Sequence, residues 1–354
     1  MTAVPLILSL FMICASAIGA KVEHRTGKIN DSMLCRESDI SLRGLMTVMV
    51  VVHHLSQYSD FGMFSSFYKA SGHLAVGVFF FLSGHGLMKK HLSDKNYSRV
   101  FLTKRLSAVL IPYLIAGLMY LLAYALFGSP LSLADIVHSF ATGDPFIQFS
   151  WYIIAIIYYY LSFYIMMLMC KEKSRFMAAI SFAFCAAYVI VCRRLGFGSW
   201  WYMTSHLFPI GVLWAVYEKQ IKKSLRKSIY PKLVVCAVLF VATAYARHLG
   251  YAHSSVTIII LASAADSLAF VLFAVLLSAK IKIENRLLET IGKMSLEIYL
   301  SQGIFIILTR KFFDSDIIFC VSAVLGTAVV SFAFYRLNLI IIKILKKKTQ
   351  HESP

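Results

Sequence analysis

Over 354 residues the chain is 59% hydrophobic and only 15% charged. A soluble domain carries roughly 45–50% apolar and about 25% charged residues, so a soluble globular protein is excluded. The net charge of +18 would by itself point to nucleic acid or an anionic surface. The apolar residues fall in runs separated by short basic stretches, however, and positive loops on one side of a bilayer explain the charge more simply.

In chain order, residues 3–20 form a short apolar stretch ending in small residues and lacking a basic leader. Three readings of residues 1–32 stand side by side: a signal-like segment, an over-extended start with translation beginning at Met33, and an eleventh span. Ten spans follow, at 43–59, 72–88, 106–127, 148–169, 176–192, 202–217, 233–246, 255–278, 294–309 and 317–342. The expected fold is an all-α polytopic membrane bundle of about ten transmembrane helices over residues 33–345, with a basic tail at 346–354. Lys and Arg alternate with the loops: 28 fall on one side and 6 on the other, with Arg336 inside the last span. This asymmetry puts the C-terminus in the cytoplasm. The longest loop on the poorer side, 128–147, has about 20 residues, so the chemistry is expected inside the bundle or at its mouths.

The seven cysteines contain no CxxC and are read as small apolar residues; no metal site and no disulfide framework are expected. Ser83 is not part of a G-x-S-x-G elbow.

The first span, DISLRGLMTVMVVVHHLSQ, carries Arg43 at its basic end and His54 deep within. Eleven residues at 100° each return the helix to within about 20° of the same face, with an axial separation of about 16 Å. A buried ionisable residue in a membrane faces the bundle interior or an aqueous cavity. His54 is therefore a candidate general base, and Arg43 an anion or anchor site at the mouth. Snorkelling of Arg43 and a plain interhelical hydrogen bond for His54 are the competing structural readings. His53 points about 100° away and reads as structural. His206, Asp266, Glu297 and Arg336 are further ionisable residues within spans. At least one of them is expected at the site, and Asp266 with Arg336 is an alternative structural ion pair.

RGLMTVMVVVHH followed by GHLAVGVFFFLSGHGLM resembles the opening of acyltransferase family 3, integral-membrane enzymes that decorate bacterial surface glycans. The matching residues are Arg43, Gly44 and His54, then Gly77, Val78, Phe80, Phe81, Leu82, Ser83 and Gly84. FLTKRLSAVLIPY resembles the family's basic loop, with Arg105, Pro112 and Tyr113. SWYIIAIIYYY resembles its Trp-aromatic segment, with Trp151, and LFPIGVLWA its sixth span, with Phe208 and Gly211. IGKMSLEIYLSQ resembles its last motif, with Gly292, Ser295, Ile298, Tyr299 and Leu300. Two positions depart from the pattern. The last-motif His is Gln302, which hydrogen-bonds but carries no proton, and a second basic-loop Arg is Ala108.

The resemblance implies transfer of an acyl group, chiefly acetyl, from cytoplasmic acyl-CoA to a hydroxyl of a surface or lipid-linked glycan. It also implies residence in a bacterial inner membrane. Acyl-CoA would be a co-substrate, with no resident cofactor. His54 and Arg43 would be catalytic, and Lys104, Arg105 and Arg99 would bind the donor. His73, Ser83, Trp151, His206, Glu297, Tyr299 and Gln302 would line the site or hold the acceptor. Trp200, Trp201 and Tyr202 read either as a sugar platform or as an interfacial aromatic belt. A transporter or flippase of glycan or lipid precursors is the alternative class; no internal repeat supports it.

Overall fold

The computed structural model describes residues 4–351 apart from 24, 26, 63–64 and 171–172. Helix α1 (Val4–Ala17) and strand β1 (Ala20–Val22) precede α2 (Arg36–Tyr58) and α3 (Ser65–Ser93). A short helix α4 (Tyr97–Phe101) runs through a π-helical turn, Leu102–Leu106, into α5 (Ser107–Phe127). Then come α6 (Leu133–Ala141), α7 (Trp151–Cys170), α8 (Ser174–Arg194), α9 (Leu207–Val216), α10 (Glu218–Ala252) and α11 (Val256–Ser278). Strand β2 (Ile281–Ile283), α12 (Arg286–Lys293), α13 (Ser295–Phe312) and α14 (Asp316–His351) complete the chain.

Each predicted span coincides with a helix, yet seven of these helices are long and apolar enough to cross a bilayer by length and composition alone. The exceptions have physical reasons. Helix α2 carries Asp39, Arg43, His53 and His54. Helix α9 has 10 residues, about 15 Å against a core of about 30 Å. Helix α13 is joined to α12 across a bend of 77°. These three pack inside the bundle, where protein rather than lipid surrounds them. Helix α3 is at the centre, with 89% of its apolar window buried, whereas α10 is peripheral at 11%. Leu114, Leu118, Leu122 and Leu126 on α5 are exposed at four-residue spacing, one stripe turned outward as lipid contact requires.

Two helix crossings are close enough to need glycine. A Cβ on Gly44 would lie 2.0 Å from the Leu288 carbonyl oxygen, and one on Gly292 would lie 2.0 Å from that of Ile40, so α2 and α12 meet backbone to backbone. Gly84 and Gly211 do the same for α3 and α9, at 2.1 Å from the Phe208 and Phe81 carbonyls. Small residues permit such approach between membrane helices. In α10, Pro231 strips the chain of a donor and clashes one turn back; the helix kinks at Ser228. Lys232 Nζ then donates to the Ser224 and Ser228 carbonyls at 2.9 and 3.1 Å.

The bundle is all-α except for one pair of three-residue strands that composition did not foretell. β1 pairs antiparallel with β2, Lys21 opposite Lys282. Strand β1, within the residues 1–32 that the sequence leaves open to three readings, is thereby built into the basic end. Asn285 caps α12 by accepting from the Leu287 and Leu288 amides at 2.9 and 3.1 Å. Its Nδ2 donates to the carbonyls of Ala15 and Ile18 at the end of α1. Midway along α1, Ser9 hydrogen-bonds the Tyr68 hydroxyl. Lys280 Nζ donates to three carbonyls, Glu23, Arg25 and Lys28, at 2.8–3.1 Å.

Candidate active site

The stripe predicted on α2 lines a cavity. Arg43, Thr47 and Val50 form its wall at helical spacing. Ser295, Tyr299 and Gln302 of α13 face them, and Ser83 of α3 and Tyr152 of α7 close the sides. The volume is about 140 Å³, close to the roughly 150 Å³ of a cavity that accepts benzene. The lining is mostly apolar, with the guanidinium at the basic end and hydroxyls spaced along the wall.

His54 follows one turn beyond Val50 and is buried. Its ring stacks on Phe149 at a centroid distance of 3.8 Å and 10° between planes. The Gln302 side chain interacts with the imidazole while its Nε2 donates to the Tyr299 carbonyl at 3.2 Å. His54 Nδ1 and Gln302 Oε1 have no hydrogen-bond partner among the described residues. A buried polar atom without a partner costs about 1–3 kcal/mol, which is tolerable where a substrate supplies the bond. Gln302, where the resemblance leads one to expect a histidine, can hydrogen-bond but does not titrate.

Arg43 has no carboxylate within ion-pair distance among the described residues. Asp39 one turn earlier interacts electrostatically with it, with His85 and Lys89, and with Glu218. Glu218 in turn gathers Lys222 at 2.8 Å, Lys89 at 3.1 Å and His85 at 3.7 Å. The mouth is therefore a cationic rim in which Glu218 already holds three partners, while Arg43 has only the longer-range interaction with Asp39.

The other predicted site residues divide. Ser83, Tyr299 and Gln302 reach the cavity. Arg105 lies one turn before the lining residue Val109 and is anchored through Nε to the Tyr97 hydroxyl at 2.8 Å; Arg99 and Lys104 are exposed nearby. Glu297 projects from the opposite face of α13 and accepts from Asn338 Nδ2 at 2.8 Å. His73 does not reach the site: its Nε2 meets Asp266 Oδ1 at 2.7 Å, and Arg247 Nε donates to Asp266 Oδ2 at 2.8 Å. Asp266 is thus paired with His73 and Arg247, not with Arg336, which is exposed on α14. Trp151 packs on Trp201 at 6.2 Å, and the buried Trp201 donates to the Gly143 carbonyl at 2.9 Å. Only Trp200 of that pair is exposed, so the sequence WW is not a continuous platform. His206 is half-buried just ahead of α9, and it too is absent from the cavity wall.

Sequence reasoning missed Phe149, which it placed inside a span begun at residue 148. Helix α7 instead starts at Trp151, because Phe149 has φ +63°, in the left-handed region that breaks a helix. Its carbonyl accepts from the Tyr299 hydroxyl. No residue type at that position signals the conformation; only the neighbouring Trp-aromatic motif hinted that this end of α7 matters.

A family model described as an acyltransferase domain (Acyl_transf_3) matches residues 40–336. No curated protein and no solved structure matches the chain. The family match runs from the start of the Arg43–His54 stripe to the last helix and takes in every wall of the cavity: the chain belongs to acyltransferase family 3, and is a membrane-embedded acyltransferase.

Proposed function

We propose that the protein is an O-acyltransferase that moves an acyl group, acetyl above all, from acyl-CoA at the basic end to a hydroxyl of a glycan at the opposite end. The observation that carries this reading is the shared stripe. The Arg43 guanidinium lines one narrow apolar cavity, and a buried imidazole lies about 16 Å along the same helix face, one turn beyond the lining residue Val50. The distribution of 28 against 6 basic residues supports a cytoplasmic basic end, in the inner membrane that the family resemblance implies.

Arg43, with Arg105, Arg99 and Lys104 around the mouth, would hold the phosphates of the donor. The thioester arm would lie between α2 and α13, with its carbonyl beside His54. The acceptor O–H gives its proton to His54 as its oxygen attacks the thioester carbonyl. The C–O bond forms, the C–S bond breaks, and the departing thiolate takes the proton back. Tyr299, Ser295 and Gln302 supply hydrogen-bonding groups along the path.

The experiment is acyl transfer by the purified protein in proteoliposomes with labelled acetyl-CoA, together with mass analysis of envelope glycans from cells with and without it. A glycan heavier by one acetyl group is expected only with the wild type. His54→Ala should abolish transfer with insertion intact, and Arg43→Ala should raise the donor KM. Full activity of His54→Ala would reject the role of the imidazole.

A further inference from the structure

The volume of the cavity limits what it can hold at one time. About 140 Å³ suits a benzene-sized group, hence the acyl end of a thioester, but not a sugar ring beside it. His54 itself lies beyond the lining residue Gln302, so the acceptor reaches the imidazole from outside this space. The ring of Phe149 stacks on the imidazole at 3.8 Å. His54 is buried while Phe149 is half-exposed, so the phenyl ring stands between the base and the surroundings.

The ring is held there by a segment with unusual geometry. Phe149 is one of three non-glycine residues with positive φ among the described ones, and bulky residues rarely adopt that conformation unless their surroundings impose it. The impositions are visible. The Phe149 carbonyl is tied to the Tyr299 hydroxyl of the cavity wall, the neighbouring Ser150 hydroxyl lies 3.3 Å from that of Tyr113, and Ile147 and Ser150 are buried. The segment begins at Gly143, φ +75°. Beyond the ring the groups turn polar: Gln57 and Asp144 are exposed, and Tyr58, one turn past His54, interacts with Asp144.

We propose that Phe149 is a specificity-determining gate for the acyl-transfer reaction. Its ring covers His54 at rest, and it swings off the imidazole only when a polyhydroxy acceptor engages the polar groups at Gln57, Tyr58 and Asp144. The inference rests on the acyl-transfer reading. Its consequence is chemical: with the gate shut, water does not reach the thioester. With the gate lost, water takes the place of the acceptor. A water O–H gives its proton to His54, the oxygen bonds the acyl carbon, the C–S bond breaks and the thiolate recovers the proton, releasing acetate and CoA.

Two readouts test it in proteoliposomes holding the full chain. Phe149→Asn removes the ring while keeping a residue that tolerates the left-handed backbone, and Phe149→Tyr keeps the ring. The first readout is release of labelled acetate from acetyl-CoA with water as the only acceptor. The second is carbethoxylation of His54 by diethyl pyrocarbonate, mapped by mass spectrometry, which needs no turnover. Phe149→Asn should raise both about tenfold, the factor that corresponds to losing one stacked ring contact, and Phe149→Tyr should stay at the wild-type level. Unchanged His54 labelling in Phe149→Asn overturns the gate whatever the reaction. Increased labelling with no acetate release, in a protein that does acetylate glycan, overturns its role in excluding water. Absence of glycan acetylation by the wild type marks instead the failure of the acyl-transfer reading, and the gate falls with it.

Discussion

Replacing Gly44 with Ala tests whether the α2–α12 crossing positions the Arg43–His54 stripe. The new Cβ would lie 2.0 Å from the Leu288 carbonyl oxygen, whereas ordinary contact begins at 3.4 Å. The clash is with backbone, which no rotamer change relieves. The helices must part by up to about 1.4 Å along that line, the difference between the two distances. Two effects of different size follow. Overpacking of this kind costs about 1–3 kcal/mol of stability. Displacement of Arg43, the adjacent residue, by about 1 Å costs on the order of 10²-fold in rate, because misplacing a positioned group by that distance does so generally. The activity loss should therefore exceed what the stability loss alone explains.

The assay pairs detergent-solubilised melting temperature with acyl transfer per folded molecule, using acetyl-CoA over a range of concentrations. A lower melting temperature and a rise in donor KM are expected. Gly292→Ala presses on the Ile40 carbonyl across the same crossing, so it should mimic Gly44→Ala. The double variant should cost less than the sum of the two, since one parting of the helices accommodates both clashes. A Gly44→Ala protein with unchanged melting temperature and unchanged donor KM would refute the argument.

Three further outcomes are expected. Arg247→Met leaves the fully buried Asp266 with His73 alone; breaking a buried charge pair costs about 3–5 kcal/mol, so melting should fall while transfer per folded molecule holds, and an equal loss of transfer would place this group in the chemistry. Lys280→Met removes the donor to three carbonyls of residues 23–28; charge-assisted bonds are worth about 1.5–3 kcal/mol each, so trypsin should cut at Arg25 and Lys28, and protection equal to wild type would contradict the packing of this segment. Glu284, ion-paired with Lys21 at 2.5 Å and Lys282 at 2.8 Å, is held down to about 2 from its usual 4.5 by those two ammonium groups. Because its folded value is lowered, its contribution is full above pH 4.5 and fades as pH falls toward 2. Amide exchange in β1 and β2 should quicken over that window, and Glu284→Gln should abolish the pH dependence.

What the sequence made legible follows periodicity. The Arg43–His54 stripe needed only an unbroken helix, and α2 is one. The helices came out because apolar runs bounded by basic residues have few alternatives in a bilayer. Span status was harder. Helix α9 is apolar but short, and the α12–α13 pair is long and apolar enough to span only when its two parts are taken together across the bend. Pairing across the chain was not legible at all. Asp266 was rightly expected to need a partner, but Arg247 and Arg336 are equivalent on paper, and only packing brings Arg247 to 2.8 Å.

The glycines of the recognised motifs show why motif reading mixes chemistry with scaffolding. Arg43-Gly44 and the Gly292-x-x-Ser295 segment look like two signatures, but they are the two sides of one crossing: Gly44 and Gly292 admit each other's backbone, and that contact brings Arg43 and Ser295 to the same cavity. Phe149 is the opposite case, a site residue that no motif announces. Its contribution depends on a left-handed backbone that tertiary contacts impose, and such a conformation leaves no trace in residue type when the residue is not glycine. A ring stacked on a buried imidazole has to move before a second molecule can meet that face of His54, which is why the proposed gate, and not the motif residues alone, would set what the site accepts.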